Sequence, residues 1–269
     1  MPTELEIGMF HANAINEHLT RRSVALLLST AGIHVGSGTC IKIGSRHLIA
    51  TVAHNLEGLT DFGQVGVAAF GAPGFSNQTP KVVGWGQRGG GSADQLDIAW
   101  LEIHPGAVEP WARQWNRIFV TLDRVNVAPI PAQRHVSLLG QPAASVKQDK
   151  FQDQPRLALS PLPYSGLTIS KPEGDPTTTD IFVEYPKAAY TEHGLKELPV
   201  AEGLSGSGLW LLNDEQPGLW TPEHAQLVGI QNAWSKFKYL RGNRIRDWLK
   251  MVREDIPELA SEIDPFLAP

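Results

Sequence analysis

A serine set among glycines, Gly203-Leu204-Ser205-Gly206-Ser207-Gly208, stands directly before the apolar run Leu209-Trp210-Leu211-Leu212. A hydroxyl at the mouth of a strand with glycine on either side is the setting that a serine nucleophile requires. Glycine admits backbone conformations closed to other residues and lets a substrate carbonyl approach the main chain. The N–H groups of Gly203 and Ser205 can there converge on a developing oxyanion, and such preorganised donors are usually the largest single contribution to acyl-transfer catalysis. Taken alone, the stretch is also ordinary turn composition.

Two further stretches supply what a lone serine lacks. Leu48-Ile49-Ala50-Thr51-Val52-Ala53-His54-Asn55 reads as a strand that delivers His54 at its end. Asp94-Gln95-Leu96-Asp97-Ile98-Ala99-Trp100-Leu101 places Asp97 at the opening of an apolar strand. A carboxylate buried there needs a hydrogen-bond partner, and a histidine Nδ1–H provides one. In this arrangement His54 takes the Ser205 proton and returns it to the leaving group, while Asp97 fixes the tautomer and stabilises the imidazolium. Each residue has a plainer role: a histidine at a strand end is often structural, and an aspartate opening a strand is often a turn former. Their joint occurrence points to covalent acyl transfer.

The rest of the chain is a scaffold of short strands. It has 269 residues, 42% of them hydrophobic and 19% charged, as a packed globular protein does, with 26 glycines and 20 prolines to turn it. Val24–Ser29, Thr39–Ile43, His47–Val52, Val65–Phe70, Lys81–Trp85, Leu96–Ile103 and Ile118–Leu122 are strand candidates in the first half. Gly36-Ser37-Gly38 reads as a break between strands, and Gly89-Gly90-Gly91 as a plain loop. Val127–Ala132, with Pro129 and Pro131, is a stiff connector. Val136–Gly140, Leu157–Leu159, Leu167–Ile169, Ile181–Tyr185, Leu209–Leu212 and Gln226–Asn232 follow. Asn13–Arg22 reads as a short helix. Arg244–Ile256 reads as an amphipathic one, with Ile245, Trp248, Leu249, Val252 and Ile256 on a single face.

Together these stretches resemble the trypsin/chymotrypsin-like serine peptidase family in its bacterial, disulfide-free form. Thr51-Val52-Ala53-His54 resembles that family's Thr-Ala-Ala-His motif, and Asp97-Ile98-Ala99 its Asp-Ile-Ala motif. Gly203-Leu204-Ser205-Gly206-Ser207 resembles Gly-Asp-Ser-Gly-Gly. Gly36-Ser37-Gly38 resembles the entry to the histidine strand, Leu138-Leu139-Gly140-Gln141-Pro142 the opening of the second barrel, and Leu227-Val228-Gly229-Ile230 the strand lining the primary pocket. The likeness runs over about residues 23–256. It implies an all-β fold of two six-stranded antiparallel β-barrels (chymotrypsin-like) with a C-terminal α-helix. The expected organisation is an N-terminal extension (1–22), a first barrel with His54 and Asp97 (23–128), a second barrel with Ser205 (129–240) and a C-terminal helix and tail (241–269). The implied activity is a serine endopeptidase with catalytic His54, Asp97 and Ser205 and an oxyanion hole at Gly203 and Ser205.

The departures are as informative. Where zymogen-activated members carry an aspartate that pairs with a freed N-terminal amine, this chain has Leu204, so activation by N-terminal insertion is not expected. Six positions before the nucleophile, where the trypsin branch has an acid, stands Pro199, with uncharged Val200 and Ala201 after it. Gln231 stands where the glutamate-cleaving branch has histidine. Pro199, Val200, Gln231, Asn232 and Trp234 are the candidate substrate pocket, suited to an apolar or small polar P1 side chain rather than a strictly basic one.

Other readings fit less well. An α/β-hydrolase needs a glycine where Ser207 stands, and an acid and then a histidine after the serine. A catalytically inert barrel serving as a binding module remains the alternative. The nine histidines show neither His-x-x-x-His spacing nor a neighbouring cysteine, so no metal or cofactor is expected. A net charge of -5 and no basic run longer than Arg21-Arg22 argue against nucleic acid. The single cysteine, Cys40, and an N-terminus unlike a signal peptide lead to the expectation of a cytoplasmic protein, off the membrane. Its expected partner is a protein or peptide substrate, and restraint of a peptidase without a zymogen switch is left open between narrow specificity, a regulatory partner protein and a site disordered at rest.

Overall fold

The computed structural model describes residues 13–28, 33–70, 80–90, 96–151, 154–173, 180–191, 194–212 and 221–268. Helix α1 (13–20) leads into six strands: β1 (Ser23–Leu28), β2 (Ile33–Ile43), β3 (Arg46–Thr51), β4 (Val65–Ala69), β5 (Val82–Gly89) and β6 (Asp97–Ile103). They form one antiparallel sheet in the order β4-β1-β2-β3-β6-β5. Helix α2 (Pro105–Trp115) follows. The second half contains β7 (His135–Gly140), a separate hairpin β8–β9 (Lys147–Phe151, Gln154–Ala158), β10 (Leu162–Ile169) and β11 (Ile181–Glu184). A second hairpin β12–β13 (Ala188–Thr191, Gly194–Glu197) precedes β14 (Gly208–Leu211), β15 (Gln226–Ser235) and β16 (Tyr239–Arg244). Strands β10-β11-β16-β15-β14-β7 close into a barrel. Helices α3 (Ile245–Asp255) and α4 (Ala260–Leu267) end the chain. The architecture is a chymotrypsin-like double barrel with a C-terminal helix.

Period-two alternation explains why the first sheet is buried on both faces. Val24, Leu26, Cys40, Ile49, Ala99, Leu101 and Ile103 point to one face and form the first core, closed by Val108 and Trp111 of α2. Their neighbours Ala25, Ile41, Leu48, Ala50, Ile98 and Trp100 point to the other face. There they join Leu139, Trp210, Leu227 and Ile230 of the second barrel, Ile15 and Leu19 of α1, and Trp248, Leu249 and Val252 of α3. All seven residues of β6 are therefore buried, Asp97 among them. The third core, with Val136, Leu138, Val183, Leu204 and Leu209, fills the second barrel.

Several elements differ from expectation. Gly36-Ser37-Gly38 does not break the chain but runs inside β2, with Ser37 opposite Ala25. Ile118–Leu122 is not a strand: only Val120 bridges to Ile41, and a 3-10 turn follows at Leu122–Arg124. Leu157 lies in a hairpin that pairs with β8 alone. Helix α2 was not anticipated: it opens on Pro105-Gly106 and contains Pro110, residue types that disfavour a helix interior. Proline at the first helical position lacks only an N–H that would be unpaired anyway, and the His104 side chain caps the Gly106 N–H at 3.1 Å.

Candidate active site

Strand β3 ends at Thr51, and a 3-10 turn over Ala53–Leu56 swings His54 toward the start of β6. Asp97 receives two hydrogen bonds from it. The His54 N–H donates to Oδ1 at 3.1 Å, and the ring Nδ1 lies 2.6 Å from Oδ2. The carboxylate is 7% exposed and the imidazole 35%. A buried carboxylate on Nδ1 holds the proton there and leaves the Nε2 lone pair as the ring's base. The Asp97 N–H, in turn, donates to Asn243 Oδ1 at 3.0 Å.

The serine loop is pinned to the first barrel through its main chain. The Ser205 carbonyl accepts from the Ser37 N–H at 2.7 Å and from Asn55 Nδ2 at 2.8 Å. Asn55 follows His54 directly, so one hydrogen bond joins the residue after the histidine to the main chain of the serine. Among the described residues Ser205 Oγ makes no hydrogen bond, to His54 or elsewhere. Gly206 has φ +96°, and a Cβ there would overlap the Ser37 carbonyl oxygen, so only glycine fits. Its N–H donates to the Gln231 carbonyl at 2.8 Å, and the Gln231 N–H donates to the Ser207 carbonyl at 2.8 Å.

Two side chains that the sequence reading did not single out organise this contact. Ser37 Oγ donates to the Gly203 carbonyl at 3.0 Å and accepts from the Gln141 N–H at 2.9 Å, while its carbonyl accepts from Thr51 Oγ1 at 2.9 Å. Asn55 donates to Thr51 Oγ1 at 3.1 Å as well as to Ser205. No local pattern in the sequence marks them; Gly36, where a Cβ would overlap the Asn55 amide, leaves the room that Asn55 needs.

Gly203 and Ser205, the oxyanion candidates, lie in the loop between β13 and β14. The Glu202 carbonyl accepts from the Ala143 N–H at 2.8 Å. In a planar trans peptide the next N–H points the opposite way, so the Gly203 N–H faces away from Ala143. Gly203 holds φ +88°. Neither its N–H nor that of Ser205 is spent on a hydrogen bond among the described residues.

The pocket candidates divide. Pro199, Val200 and Trp234 are half-buried. Gln231 and Asn232 are buried and engaged within the protein, Gln231 Nε2 with the Ala233 carbonyl at 2.8 Å and Asn232 Nδ2 with Asn243 Oδ1 at 3.0 Å. Leu204 is fully enclosed beside Val136, Leu138 and Tyr185. Among the described residues no group of three or more His, Cys, Asp or Glu side chains is placed to hold a metal, and no helix is long and apolar enough to cross a membrane.

No protein-family model matches the chain, and no curated protein matches it. Solved structures do. A crystal structure of the inactive form of the Rv3671c protease is 15% identical with a TM-score of 0.47, covering 91% of this chain and 94% of that one. The inactive form of a serine-to-alanine mutant of Rv3671c from M. tuberculosis H37Rv has the same identity and TM-score, covering 97% of this chain and 95% of that one. The fold assignment rests on the strand order and barrel closure described above.

Proposed function

We propose that the chain is a serine endopeptidase that cleaves peptide bonds through an acyl-enzyme. The observation that carries this reading is the 2.6 Å contact of His54 Nδ1 with the buried Asp97 carboxylate, made beside a loop whose serine is hydrogen-bonded to the next residue, Asn55. Ser205 Oγ attacks the substrate carbonyl carbon as its proton passes to His54 Nε2. The imidazolium is stabilised by Asp97 and the oxyanion by the N–H groups of Gly203 and Ser205. Collapse breaks the C–N bond, and the imidazolium gives its proton to the departing amine. Water then attacks the ester, and the same proton path returns Ser205 to its starting state.

The complete enclosure of Leu204 supports activity without N-terminal insertion, because no charge is present there to receive an amine. Pro199, Val200 and Trp234 offer no counter-charge for a basic P1 side chain, which supports a preference for apolar or small polar residues. A peptide library settles this, and a dominant Arg or Lys preference at P1 contradicts it.

The primary test is a fluorophosphonate probe, which needs no known substrate. The wild-type chain takes one label per molecule, and Ser205→Ala and His54→Ala take none. A folded wild-type chain that takes no label under any condition favours the alternative, an inert barrel acting as a binding module.

A further inference from the structure

The strand that carries Asp97 is gripped from outside its own sheet by one continuous stretch of the C-terminal region. The Asp97 N–H donates to Asn243 Oδ1 at 3.0 Å, Trp248 Nε1 donates to the Ala99 carbonyl at 2.8 Å, and Trp100 Nε1 donates to Asp255 Oδ2 at 2.9 Å. Of these three contacts, the first reaches the carboxylate-bearing residue itself.

Asn243 belongs to the other barrel. It lies in β16 opposite Ile230 of β15 and is 1% exposed. Its amide has a determined orientation. Oδ1 receives both the Asp97 N–H and Asn232 Nδ2, the latter at 3.0 Å, while Nδ2 donates to Asp180 Oδ1 at 3.2 Å. The reversed amide would set donor against two donors and acceptor against a carboxylate. Arg241 Nε lies 3.4 Å from both Asn232 Oδ1 and Asp180 Oδ2, which balances the buried acid.

Two adjacent residues of β15 thus serve both ends of the reacting set. Gln231 holds Gly206 and Ser207 through its main chain, and Asn232 holds Asn243, which holds Asp97. We infer that Asn243 is a positioning residue for Asp97, registering the carboxylate, and through it His54, against the serine loop of the second barrel. The inference rests on the reading of His54, Asp97 and Ser205 as the catalytic set. It predicts a rate effect rather than a binding effect, since small misplacements of reacting groups are costly: a shift of 1 Å can lose about 10²-fold.

The test measures fluorophosphonate inactivation, separated into kinact and KI, with the melting temperature of every variant measured alongside. Asn243→Ala is expected to lower kinact by about 10- to 100-fold with KI unchanged. The exchange Asp180→Asn/Asn243→Asp keeps the acceptor for Asp97 and the amide–carboxylate pair with donor and acceptor swapped. It is expected to return kinact to within about threefold of the wild type. Should Asn243→Ala not fold, Asn232→Ala replaces it, with a smaller fall in kinact and the same KI. An unchanged kinact in a folded variant overturns the inference, as does a loss confined to KI. A folded exchange variant as slow as Asn243→Ala also overturns it. A wild-type chain that takes no probe overturns the peptidase reading and this inference with it, whereas a labelled wild type and an equally fast Asn243→Ala overturns this inference alone.

Discussion

Asp97 and Gly206 show how much of the site depends on single atoms. Asp97→Asn keeps the shape but places an amide where the His54 Nδ1–H needs an acceptor, which favours the wrong tautomer. Probe labelling should slow by on the order of 10³- to 10⁴-fold, with the melting temperature little changed. Gly206→Ala should abolish labelling and cost about 3 kcal/mol or more in urea unfolding, because it combines positive φ with overlap on the Ser37 carbonyl. Wild-type labelling by Gly206→Ala would show that the loop can relax. The His54–Asp97 pairing was legible in the sequence because each residue sits beside short-range cues, small residues before the histidine and an apolar run after the aspartate, and the glycines about Ser205 marked a tight loop. Ser37, Asn55 and Asn243 were not legible. Each acts on a partner more than a hundred residues away, and no local periodicity records such a contact.

At the scale of elements, the helices matter for what they hold. Leu19 of α1 is fully buried in the core shared by the two barrels. Leu19→Ala should cost about 2–5 kcal/mol, read as a lower urea midpoint at unchanged slope. Trp248 of α3 is also fully buried, and its Nε1 satisfies the Ala99 carbonyl two residues beyond Asp97. Trp248→Phe removes that hydrogen bond and trims a fully buried ring, and should cost about 1–3 kcal/mol in the same assay. Helix α3 was legible from its apolar stripe, whose period survives any tertiary context. Helix α2 was hidden because proline, here Pro105 and Pro110, disfavours a helix interior, while its burial of Val108 and Trp111 against the first core is a tertiary fact. Ile118–Leu122 failed in the opposite sense: it is apolar enough for a strand, yet only Val120 finds a bridge partner.

Across the whole molecule the shared core binds the parts into one unit. It draws on the first sheet, the second barrel and three helices, so calorimetry should show a single unfolding transition, and two separated peaks would refute this. One titratable group inside that assembly gives stability a pH dependence. His18 packs edge-on against Trp210 with ring centroids 6.0 Å apart, and its Nδ1 lies 3.5 Å from Glu223 Oε1. Burial, and then the Arg22 charge, outweigh Glu223 and pull its pKa down to about 4. The folded state therefore binds fewer protons here than the unfolded chain between about pH 4 and the ordinary histidine value near 6.5. Its contribution is complete above that window and is lost as the pH falls through it, on the order of 2–3 kcal/mol. His18→Gln should flatten this part of the stability curve relative to the wild type, and identical slopes from pH 6.5 to 4 would rule the assignment out.

Cys40 lies wholly enclosed in the first core, where burial pushes its thiol up to about 12. At neutral pH almost none of it is thiolate, and no reagent reaches it while that core is shut. Alkylation of this one sulfur by a maleimide therefore counts how often the first barrel breathes, giving a clock for opening motions that needs no engineered reporter.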